Sequence, residues 1–190
     1  MARAYTVLVA IEAPPMVTDQ INNPLINETA SVSSIVPRRQ ESRGTNTMAT
    51  GIQITVDCAD PDRLAAFWAA VLNYEVQPPP EGFASWPDFL QAQGIPEADW
   101  PQVSAIVDPA GQGPRIFFQH VPEPKTVKNR VHLDVNISAG SASTADRRTR
   151  IDAAVERWLS LGASRLQTVA QHDEYWVVMQ DPEGNEFCVQ

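Results

Sequence analysis

An α+β fold of two tandem βαβββ modules, their strands forming a cupped mixed sheet with the helices outside, is predicted by three observations. Two stretches alternate apolar and polar residues with a period of two. Each is followed by an amphipathic helical stripe, and the turn Asp-Pro-x-Gly recurs at matching places, Asp108–Gly111 and Asp181–Gly184, 73 positions apart.

The patterned region opens at Met48. Residues 1–47 carry four basic and four acidic side chains, so the whole formal charge of -9 falls on residues 48–190. Rich in Asn, Ser, Thr and Arg and without a sustained period, residues 1–47 are expected to form a flexible extension, either a native tail or the product of a start upstream of Met48. The apolar stretch Tyr5–Ile11 is too short for a secretory signal and lacks a small-residue cleavage site.

Module one, about residues 50–121, begins with Ile52, Ile54 and Val56 alternating with Gln53, Thr55 and Asp57. Asp60 and Pro61 then supply a helix cap and a first-turn proline, and Leu64, Phe67, Trp68, Val71 and Leu72 form one apolar stripe. Strands are predicted at Tyr74–Gln77, Val103–Asp108 and Arg115–His120. Module two, about residues 130–190, repeats the order. Its first strand is predicted at Val131–Asn136; Ser143 and Asp146 form a capping box; Ile151, Val155, Trp158 and Leu159 make a helix stripe that Gly162 ends. Strands follow at Ser164–Val169, Glu174–Gln180 and Asn185–Val189. Each module leaves one sheet face uncovered by its own helix, so the two faces together can wall a cup carrying Gln53, Thr55, Asp57, His132 and Asp134.

Composition narrows the partners. With 190 residues, 43% hydrophobic and 19% charged, the chain can bury one sizeable core. The acidic balance argues against nucleic acid or an anionic membrane surface, and no apolar run is long enough to span a bilayer. Two cysteines, Cys58 and Cys188, are too few for a disulfide scaffold or a cysteine-rich zinc site, which fits a cytoplasmic protein. A small-molecule ligand is the expected partner.

Five segments carry a family resemblance: Asp57-Cys-Ala-Asp-Pro61, Leu64-Ala-Ala-Phe-Trp68, Val121-Pro-Glu-Pro-Lys125, Lys128-Asn-Arg-Val-His-Leu-Asp134 and Asp181-Pro-Glu-Gly-Asn-Glu-Phe-Cys188. Over about residues 50–190 the chain resembles the vicinal oxygen chelate superfamily, which includes glyoxalase I, extradiol dioxygenases and the bleomycin- and fosfomycin-resistance proteins, and within it the glyoxalase-like domains. The resemblance implies the glyoxalase/bleomycin-resistance fold over residues 48–190, a small organic molecule in the cup, and pairing of two copies as a homodimer. It also implies a divalent metal ion held by the first and last strands of each module, acting as a Lewis acid in a lyase or isomerase reaction near a carbonyl.

Tested against that pattern, Gln53 and His132 match in type and position. The fourth-strand slot, usually Glu, falls on Phe117 or Gln119, and the last-strand slot falls on Cys188. Glu186, two residues earlier on the same strand face, is the substitute. Gln53, His132 and Glu186 are therefore the expected metal set, with His132 and Glu186 as catalytic groups. Thr55, Phe117, Gln119, Asp134, Trp176 and Cys188 join Gln53 as substrate-facing residues. A metal-free sequestering protein of the bleomycin-resistance type is the alternative, and no cofactor is then required. An extradiol dioxygenase fits less well, because Gln53 stands where its iron site uses histidine.

Each candidate also has a purely structural reading: His132 hydrogen-bonded to Asp134, Glu186 as a solvated edge charge, Cys58 and Cys188 as packing groups. The proline-rich insertion 78–102, with Phe83, Trp86, Phe89 and Trp100, is expected either to roof the cup or merely to anchor itself to the core. Lys125, Lys128 and Arg130 form a cationic connector that meets an anionic ligand group, a partner protomer or solvent. His172 is expected in an exposed hairpin turn, and Trp176 is compatible with either strand face.

Overall fold

A computed structural model describes residues 50–190, and the extension expected over residues 1–47 lies outside the described residues. Its strands are β1 (Gln53–Cys58), β2 (Glu75–Val76), β3 (Val103–Val107), β4 (Arg115–His120), β5 (Asp134–Val135), β6 (Ser164–Gln171), β7 (Glu174–Gln180) and β8 (Glu186–Val189). The helices are α1 (Pro61–Leu72), α2 (Trp86–Ala92) and α3 (Thr144–Ser160). Two four-stranded mixed sheets result, ordered β1-β4-β3-β2 and β5-β8-β7-β6. In each, the module's first strand is an edge strand parallel to the module's last.

Local chemistry starts the helices where the sequence says. Asp60 accepts the Arg63 N–H at 3.1 Å ahead of Pro61, and Ser143 accepts the Asp146 N–H at 3.1 Å. Asp146 reaches back to the Ala142 N–H rather than that of Ser143, a capping box displaced by one residue. The helix α1 ends at Asn73, which adopts φ 57°, and Gly162 follows α3 at φ 101°.

Two strands depart markedly from the alternation pattern. The strand expected over Val131–Asn136 contracts to β5, two residues long. It pairs with Cys188 and Val189 of β8, and Val131, before it, is exposed. Likewise the strand expected over Tyr74–Gln77 is formed only at Glu75 and Val76. The insertion contains a helix, α2, capped by Ser85 through the Asp88 N–H at 3.2 Å, with Pro87 in its first turn.

The helices α1 and α3 contribute to a single core that the two modules share. Leu64, Trp68, Ile116 and Phe118 from module one join Ile151, Trp158, Val177, Met179 and Phe187 from module two. The Trp68 and Phe187 rings meet edge-on with centroids 5.1 Å apart. The final turn ties the modules further: buried Asp181 accepts the Trp68 indole N–H at 3.2 Å, and Glu183 accepts the Ala59 and Asp60 N–H groups at 2.7 and 2.8 Å. Thus module two caps the N-terminus of module one's helix. Among the described residues no helix is long and apolar enough to cross a membrane.

Candidate functional site

Strand alternation decides what faces the cup. In β1, Ile54, Val56 and Cys58 turn to the helix side, which leaves Gln53, Thr55 and Asp57 on the other face. Parallel pairing with β4 places Arg115 beside Gln53, Phe117 beside Thr55 and Gln119 beside Asp57. The β3 residues opposite Phe117 and Gln119 are Ala105 and Val103.

Phe117 is only 2% exposed although it lies on the face away from α1. The insertion lies over the same face. Phe83, Trp86, Phe89, Leu90, Ile95 and Trp100 form a small second core that also packs on Val103. Two ring contacts brace this roof: Phe83–Phe89 at 5.2 Å and Trp86–Phe89 at 5.9 Å between centroids. Both indole N–H groups are satisfied, Trp86 by the Gln77 carbonyl and Trp100 by the Ile95 carbonyl, each at 3.0 Å. Between roof and sheet remains a cavity of about 490 Å³, walled by Trp86, Leu90, Trp100, Val103, Ala105 and Phe117, with Gln77 and Arg115 as polar groups. The insertion thus covers a chamber on the module-one sheet alone, and none of Gln53, Thr55, Asp57, His132 and Asp134, expected to wall a shared cup, is among its lining residues.

Arg115 is the residue that sequence reasoning missed. Its Nε donates to Gln77 Oε1 at 2.7 Å, its Nη1 donates to Gln53 Oε1 at 2.6 Å, and its guanidinium lies 5.1 Å from the Phe117 ring centroid. Burial pulls its pKa below the ordinary arginine value. The signal was available: Arg115 occupies a cup-facing position of a predicted strand, two residues before Phe117. Gln53, expected as a metal ligand, has its amide oxygen engaged by this arginine.

On module two's open face, Asp134 pairs with Cys188 across β5 and β8, and Cys188 pairs with Val178 on β7. His132 Nδ1 lies 3.0 Å from Asp134 Oδ1. One donor atom from each of His132, Asp134 and Cys188 falls within 4.8 Å of the others. Trp176, Cys188 and Asp134 also border an open depression of about 600 Å³ whose walls are largely polar. Between the modules, a space of about 290 Å³ brings Thr55 and Asp57 together with His132 and Glu186.

Glu186 is tightly held there. It accepts the Asn129 N–H and the Lys125 ammonium, each at 3.0 Å, and these donors, the backbone N–H foremost, lower its pKa to about 2. The cationic connector therefore spends Lys125 on an internal pair. Gln119 donates to Asp57 Oδ1 at 2.5 Å. His172 sits exposed in the β6–β7 turn with φ 53°, as expected.

A family model described as a glyoxalase-like domain matches residues 53–190, which spans both sheets and every described helix. The chain belongs to the glyoxalase-like domain family. It is the family that its motifs implied. No curated protein matches the chain. Among solved structures, it is similar to a glyoxalase/bleomycin resistance protein/dioxygenase family enzyme from Burkholderia phytofirmans PsJN, at 13% identity over 72% of this chain and 94% of that one, TM-score 0.47. It is also similar to the fosfomycin resistance protein FosX from Mesorhizobium loti, at 14% identity over 75% and 92%, TM-score 0.49. A third is FosX from Listeria monocytogenes complexed with Mn(II) and sulfate, at 15% identity over 75% and 90%, TM-score 0.48.

Among the described residues, the glyoxalase-like domain offers donors that fit a divalent ion at one place. His132, whose Nδ1 lies 3.0 Å from Asp134 Oδ1, offers a ring nitrogen, Asp134 an oxygen and Cys188 a sulfur. Burial, and then the Asp134 charge, push the Cys188 thiol above its ordinary pKa, so an ion held there would have to displace the thiol proton. Within this glyoxalase-like domain, Glu186 stands outside the three-donor group, with its carboxylate committed to Asn129 and Lys125.

Proposed function

We propose that this glyoxalase-like domain binds a small organic molecule in the roofed chamber over the module-one sheet. One observation carries the reading: a cavity of about 490 Å³, largely apolar and aromatic, with a few convergent polar groups at its floor. The depression on module two is larger but open and polar, with Asn136, Ser138, Ser141 and Glu174 on its walls, and is the poorer container. Thermal unfolding of the full chain against a panel of small aromatic and aliphatic compounds tests the proposal. A ligand at about a hundred times its Kd adds about 2.7 kcal/mol of stability to the wild-type protein. The same compound is expected to lose most of that effect in Trp100→Ala.

A second reading, a metal-dependent lyase or isomerase, is favoured by the convergence of His132, Asp134 and Cys188. These three would hold the ion, which when bound would act as a Lewis acid toward adjacent oxygens of a substrate. Asp134 orients the His132 ring, while Thr55, Asp57 and Glu186 line the neighbouring space between the modules. Metal analysis of the purified protein separates the readings. Stoichiometric divalent metal that disappears in His132→Ala supports the enzyme; metal-free protein with undiminished ligand binding supports sequestration.

A further inference from the structure

The floor of the chamber holds a cation whose needs the protein meets only in part. Arg115 has five N–H groups, and the hydrogen bonds to Gln77 and Gln53 engage one on Nε and one on Nη1. Both acceptors are neutral amide oxygens. Among the described residues Arg115 enters no ion pair. The carboxylate among the cavity's lining residues, Asp62, is solvent-exposed on the first turn of α1, whereas Arg115 is half-buried. A guanidinium removed from water without a counter-charge is costly, and the two glutamines fix its plane without neutralising it. Flat apolar surface is supplied by Trp86 and Trp100 in the chamber walls, their N–H groups already spent, while the buried Phe117 ring lies beneath the guanidinium.

Resting on the proposed chamber, we infer that its ligand class is a planar aromatic carboxylate, with the anion on the unclaimed N–H groups of Arg115 and the ring system against Trp86 and Trp100. Gln53 and Gln77 then act as positioning residues that aim the fork, and the carboxylate completes the charge balance.

Isothermal titration of the full chain with naphthoate and with its neutral counterpart naphthamide tests the inference. The acid is expected to bind roughly ten- to hundredfold more tightly than the amide. Arg115→Gln should erase that preference by weakening the acid alone, and Trp100→Ala should weaken both probes while keeping the preference. Equal affinity of the wild-type protein for acid and amide overturns the inference, whatever Arg115→Gln does to folding. Preference for the amide, or binding of neither probe, also overturns it. The chamber itself fails on a different result: no compound of the wider panel binds, or Trp100→Ala leaves every affinity unchanged.

Discussion

At the scale of single residues, one turn residue does two different jobs in the two modules. Asp108 accepts the N–H groups of Ala110, Gln112 and Gly113 at 2.8–2.9 Å, and these bonds, that from Ala110 foremost, hold its pKa below the ordinary value. Asp181 accepts the corresponding Glu183 and Asn185 N–H groups but is buried, and its second oxygen takes the Trp68 indole and the Asn185 amide. Asp181→Ala should therefore cost roughly 3 kcal/mol in denaturant unfolding, because it strands several buried donors. Asp181→Asn should cost less, since one oxygen still accepts. Cys58 supplies a pH signature. Burial, with added repulsion from Glu183 and other acids, raises its pKa from 9.0 to about 12. A raised folded-state pKa means full stability below the unfolded value and loss above it. Stability should fall as pH climbs from about 9 toward 12, and Cys58→Ala should flatten that limb of the unfolding curve.

At the scale of elements, the cross-module cap is the feature that a reading of separate modules misses. Glu183 belongs to the last turn of module two, yet it satisfies the Ala59 and Asp60 N–H groups at the start of α1. Glu183→Ala is expected to lower stability by about 1–2 kcal/mol and to speed amide exchange in the first turn of α1 without equal change in α3. The strands and helices that alternation and capping define were legible because burial on one face and orphan N–H groups constrain short-range sequence. Ile54–Val56 and the α1 stripe are examples. What depends on a partner was not legible. β5 pairs with only Cys188 and Val189 of β8, a limit set by the path of the chain before it, and the helix α2, seven residues long, is too brief for a periodic stripe to show. Cup-facing positions could be counted along β1 and β4, whereas the glutamine-to-arginine bridge could not. It joins Gln53, Gln77 and Arg115, residues separated by up to 62 positions.

At the scale of the whole molecule, the two modules join on their helix sides through one core and leave their other faces to two chemically different places. Module one presents a roofed apolar chamber with a guanidinium at its floor, and module two presents three candidate metal donors beside an open polar depression. The chain's five tryptophans divide between these environments: Trp86 and Trp100 line the chamber, Trp176 lines the depression, and Trp68 and Trp158 lie in the shared core. Indole N–H resonances, assigned with single Trp→Phe variants and followed during titration with a panel compound, therefore report directly where a ligand sits. Binding in the chamber predicts shifts of the Trp86 and Trp100 signals with Trp176 unmoved. A shift of Trp176 alone would place the ligand on module two and contradict the account.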